Sequence, residues 1–164
     1  MNNLPNAMHL HLMLNHAPLF GELFASGLLL AAAVFRNKTL LRTALSVVLL
    51  TGVATIPVFL SGRQAADAIG KVEGIDQEAI DPHEDAAERF LIVAEAAALA
   101  AIAGLVWPGR VTIGVAGLLT LLSLGQAGLT ADRGGLIHHN ELRQHVAARE
   151  VRGQPGRGLD PNVV

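Results

Sequence analysis

The sequence predicts an all-α integral membrane protein, an up-down-up-down four-helix bundle with both termini periplasmic. Three observations carry this. Of the 164 residues, 51% are hydrophobic and only 16% are charged, where about a quarter charged is usual for a soluble domain. Four apolar segments each reach the ~20 residues a helix needs to cross a bilayer. Basic residues gather in the short connections and acidic ones in the long connection, the asymmetry that orients membrane helices. A water-soluble bundle would have to hide four helices on every side, for which so small a chain lacks the volume.

The first span covers about residues 10–35 and opens on "LMLNHAPLFGELF". From His16 to Phe35 the only charge is Glu22. Pro18 has no N–H to give the carbonyl of Leu14, so the helix kinks or begins there. The segment lacks a basic leader and is too long for the apolar region of a cleavable signal. "FRNKTLLR" then supplies Arg36, Lys38 and Arg42 before the second span, about residues 40–60. The next connection is acidic, with Asp67, Glu73, Asp76, Glu78 and Asp81 against Arg63 and Lys71. Gly62, Gly70 and Gly74 suggest turns there, around one short helix in "GRQAADAIG". In "DPHE", Asp81 reads as an N-cap, Pro82 as the first helical residue and Glu84 as the third, which starts the third span at about residues 85–107. A tight "WPGR" turn carrying Arg110 leads to the fourth, about residues 111–131, uncharged throughout.

Gly114, Gly117, Gly125 and Gly128 share nearly one face of that last helix at 100° per residue, a face suited to helix packing or a flat ligand. Gly134 and Gly135 suit a helix end that turns the chain back over the bundle mouth. Residues 1–145 read as one transmembrane domain and residues 146–164, "RGQPGRGLDPNVV" at their end, as an extended tail. The positive-inside rule puts both short turns in the cytoplasm. Arg133, Arg143, Arg149, Arg152 and Arg157 run against that rule, but most are far from the last span, where it is weak.

Composition removes several functions. The chain has no Cys, which excludes disulfides, thiolate-held zinc, iron–sulfur clusters and covalently attached c-type haem. A net charge of −2 gives no electrostatic footprint for nucleic acid. No nucleophile–base pairing and no phosphate loop stands out, so an independent enzyme is not expected. What remains is histidine. All seven fall at or near one end of the bundle in this topology: His9, His11 and His16 at the first span, His83 at the third, and His138, His139 and His145 after the fourth. His9 and His11 read as interfacial residues and His145 as a surface one. His16, His83 and one of the pair His138 and His139 are the candidate ligands, because ionisable groups at membrane depth are costly and usually functional. With no thiolate and little Met, imidazole is the main ligand available, and bis-imidazole haem b is the reading favoured. A periplasm-facing copper, zinc or iron site and a cofactor-free scaffold of a larger membrane complex are the alternatives. Glu22 and Glu95 lie within spans one and three, so each must be neutral, paired or facing a wet cavity. Either suits a proton path, a quinone contact, or a simple interhelical bond to Ser123 or Gln126.

"LNHAP" opening span one, "IPVFLSGRQAAD" closing span two, "HEDAA" opening span three and "GGLIHHNEL" after span four occur here in order. Over residues 10 to 145 this set resembles the bacterial predicted membrane proteins of domain-of-unknown-function family 2231. The resemblance matches the recurring histidines of that pattern to His16, His83 and His139, and matches His138 to a position where relatives often carry Arg. Relatives are joined to Rieske or c-type cytochrome domains. The resemblance therefore implies an electron-transfer subunit of the bacterial inner membrane, passing electrons between quinol and a periplasmic acceptor on another polypeptide. Asp132 and Glu84 are expected to orient the ligating rings.

Overall fold

A computed structural model describes residues 4–69 and 77–138, with side chains for residues 9–68 and 80–135. The expectations for His139, His145, the middle of the acidic connection and the tail 146–164 lie outside these residues, as does the side chain of His138. The described residues form five helices, α1 (Leu4–Leu14), α2 (His16–Phe35), α3 (Lys38–Ile69), α4 (Gln77–Val106) and α5 (Arg110–His138). Four stretches are long and apolar enough to cross a membrane: His9–Phe35, Lys38–Ala68, Ile80–Val106 and Arg110–Gly135. The first joins α1 to α2 across a break at Asn15. The Asn15 N–H still donates to the His11 carbonyl at 2.8 Å. Pro18 then withholds the bond Leu14 would accept, which is the interruption its position predicts.

The two short turns are built locally. At the end of α2, Arg36 adopts the left-handed conformation (φ 49°) and its N–H donates to Ala32 O. Asn37 then accepts the Leu40 N–H on its Oδ1 at 3.0 Å, capping α3. Between α4 and α5, Thr112 Oγ1 accepts the Gly109 N–H at 3.0 Å and donates to Trp107 O at 2.8 Å. One side chain thus holds both sides of the Trp107–Gly109 turn.

α2 packs on α3, α3 on α4, α4 on α5 and α5 back on α2, so the four long helices close into a ring, with α1 lying against α3. The interior is made of small residues: Ala25, Ala97, Ala101 and Ala116 are buried with Leu45 and Val48. Large apolar side chains point outward instead, with Phe24 62%, Leu30 67% and Leu99 68% exposed. Soluble bundles do the reverse. Small residues inside allow close helix approach, and large ones outside are compatible with a lipid surround. α3 and α4 approach closely at Gly52, where an added Cβ would lie 2.7 Å from Ala98 Cβ and 3.3 Å from the Ala94 carbonyl oxygen.

Four local expectations are corrected. α3 continues unbroken through Gly62 and takes in the segment read as a separate short helix. α5 likewise runs through Gly134 and Gly135 to His138. α4 begins at Gln77, so Asp81 is no cap and Pro82 sits inside the helix, where it forfeits only one backbone bond near the helix start. On α5 the face that packs is Ala116, Thr120, Ser123 and Ala127, all buried. A Cβ on Gly114, Gly117, Gly125 or Gly128 would meet nothing within 4 Å.

Candidate functional site

The chemistry-bearing side chains gather in two places: the end of the bundle where α3 finishes and α4 begins, and the interior between α2 and α5. At the first, His83 on the second turn of α4 is half-buried against α5. Its Nδ1 lies 3.0 Å from the Thr130 carbonyl oxygen. A carbonyl can only accept, so Nδ1 carries the proton and the neutral ring keeps its lone pair on Nε2. The ring rests on Gly134, where an added Cβ would stand 3.1 Å from Cε1 and 3.3 Å from Nδ1. Arg133 Nη1 donates to Pro82 O at 3.1 Å and ties the same two helices together one step outward.

His11 repeats this arrangement on α1. Its Nδ1 lies 3.1 Å from the Val58 carbonyl oxygen of α3, which again leaves the lone pair on Nε2. Its ring rests on Gly62, where an added Cβ would stand 2.8 Å from Cε1.

His83 and His11 thus occupy the same kind of seat, and His16 does not. His16 is exposed, stacked on the outward-facing Phe20 with ring centroids 6.5 Å apart. Pro18 is buried at the same level, and the break at Asn15 turns His16 outward. His9 is exposed, as an interfacial residue should be. His11, read from sequence as interfacial, is the ring drawn inward. Glu84 is half-buried one residue from His83, while Asp132 is exposed. Neither bonds to an imidazole among the described residues, and both rings are oriented by backbone carbonyls instead.

The second place is organised by Glu22. Its side chain is fully buried, and Oε1 accepts a hydrogen bond from Ser123 Oγ at 2.8 Å across the α2–α5 contact. Oε2 has no partner among the described residues. Of the two interhelical partners the sequence offers, Ser123 is the one engaged. Glu95 on α4 is half-buried, and its Oε1 is likewise buried without a partner among the described residues.

Among the described residues no group of three or more His, Cys, Asp or Glu side chains is arranged to hold a metal ion. A bare zinc or copper site needs three or four protein ligands, whereas haem iron takes four nitrogens from its own macrocycle and only axial ligands from the protein. His11 and His83 each set Nδ1 against a backbone carbonyl, the usual outer contact of a ligating imidazole. No family model matches the chain, and neither the curated proteins nor the solved structures contain a match.

Proposed function

We propose that this chain is a membrane electron-transfer subunit of a bacterial inner membrane, holding haem b near the periplasmic face between a quinol and a periplasmic acceptor. The observation that supports it is the pair of half-buried imidazoles, each anchored by Nδ1 on a backbone carbonyl, so that in the neutral ring Nε2 is the nitrogen left to ligate. In this reading the helices alternate up and down. Contacts of Leu45, early in α3, with Gly104, late in α4, and of His11 with Gly62 favour that alternation. The basic turns at Arg36, Lys38 and Arg110 favour the cytoplasm for the opposite rim. Both termini and the histidines then face the periplasm.

His11 and His83 are the ligands this reading selects from the described residues, with His139 a further candidate from sequence. Bound haem b supplies a one-electron ferric–ferrous couple. The protein's part is to orient the two rings, hold their protons at Nδ1, and exclude water with the apolar wall of the bundle. Glu22 Oε2 and Glu95 Oε1 are the carboxyl oxygens placed to accept a proton if quinol is the donor. A pyridine haemochrome assay beside metal analysis on the purified protein tests this. The expected result is b-type haem with a six-coordinate, low-spin spectrum. Colourless, metal-free protein from haem-replete cells contradicts it.

A further inference from the structure

The two imidazole seats are not merely alike. The bond from His11 to Val58 and the bond from His83 to Thr130 each span 47 residues. His11 and His83 are offset by 72 positions, and so are Val58 and Thr130, Gly62 and Gly134, and the first residues of α3 and α5, Lys38 and Arg110. The same offset maps one buried face onto another. Ala25 maps to Ala97, Ala44 to Ala116 and Thr51 to Ser123, and all six are buried. It also exchanges the helix contacts, since α2 with α3 becomes α4 with α5, and α3 with α4 becomes α5 with α2.

We infer that the chain is a tandem duplication of one helical hairpin, and that its two copies bring His11 and His83 together as equivalent ligands to a single metal centre, each through Nε2. The inference rests on the functional reading above and adds to it the identity, the equivalence and the shared use of the two rings. Equivalence follows from the geometry. Each ring is anchored by the same bond to the corresponding carbonyl and laid on the corresponding glycine, so a two-fold relation of the hairpins carries one Nε2 onto the other. A single centre that both rings reach would lie on the axis between them. The duplication also marks where the halves have diverged. Glu22 maps to Ala94, both fully buried. A carboxyl bonded to Ser123 at one interface thus stands where the other has only a buried methyl group.

The test uses the full wild-type chain and its His11→Ala, His83→Ala and His16→Ala variants, each titrated with hemin. Equal conversion of the six-coordinate hemin spectrum to a high-spin one in His11→Ala and His83→Ala, with His16→Ala unchanged, is the expected result. A low-spin spectrum that survives both substitutions, or is lost in His16→Ala, overturns the inference while leaving haem binding by the chain in place. If the wild-type chain takes no hemin, the electron-transfer reading fails. The shared centre then fails with it, because two imidazoles are too few to hold a bare metal ion. Circular dichroism on each variant shows that the helices are retained.

Discussion

Gly52→Leu is expected to force α3 and α4 apart and to cost the bundle about 3 kcal/mol, the upper part of the range for over-packing a close-fitted interior. The position leaves no room to yield. Even a Cβ would lie 2.7 Å from Ala98 Cβ, and the next obstruction, at 3.3 Å, is the Ala94 carbonyl of the α4 backbone. A flexible side chain could move aside, but a helix backbone moves only as a unit. Gly52→Ala is expected to show a smaller loss, partly recovered when Ala98→Gly is added, since contacting sites couple. Gly125→Leu on the open face of α5, where nothing lies within 4 Å, is the matched control and should stay near wild type in packing. Reversible unfolding of detergent-solubilised protein, followed by circular dichroism, reads all four. Equal losses at Gly52 and Gly125 would mean that helix propensity and not helix contact sets the cost.

Ser123→Ala is expected to destabilise the chain by about 1–3 kcal/mol, the cost of stripping a buried polar group of its partner. Glu22 is fully buried and Ser123 Oγ is the one donor it has among the described residues. Ser123→Thr keeps a hydroxyl and should lose much less. Glu22→Leu together with Ser123→Ala removes both partners, and should be closer to wild type than Ser123→Ala alone, because no orphaned carboxyl remains. The same unfolding assay decides it. If Ser123→Ala is silent while the double variant is severely destabilised, Glu22 is held by something other than Ser123. The site matters beyond stability, because Glu22 stands where the second hairpin has Ala94.

The four spans are legible in the sequence because hydropathy alone marks them: each expected span falls on one of the four apolar helices, though the second stops at about residue 60 while its helix continues to Ala68. The kink before Pro18 is legible too, because a missing donor has one local consequence. The glycines are not. Gly62 and Gly134 resemble turn formers beside polar segments, yet both lie inside helices and serve as seats for imidazoles. A glycine permits a turn and a close approach equally, and only the partner decides which is used. His83 is recognisable at the rim, but the ring that shares its kind of seat is not. His16 attracts notice because it borders the longer apolar run, while His11 lies among residues that look interfacial. The 72-residue register of His11 with His83 and Gly62 with Gly134 was the available signal. It is easily missed because few other identities accompany it: the two hairpins keep the size and burial of their facing residues more than the residues themselves.

The account depends most on His11 and His83 standing at one rim of the bundle. The chain has no Cys, so His11→Cys with His83→Cys gives two sites that a nitroxide reagent labels alone. Pulsed electron–electron resonance between them in lipid nanodiscs should return a distance well below the ~30 Å hydrocarbon thickness of a bilayer. A distance at or above that thickness would put the two residues at opposite membrane faces and contradict a shared centre.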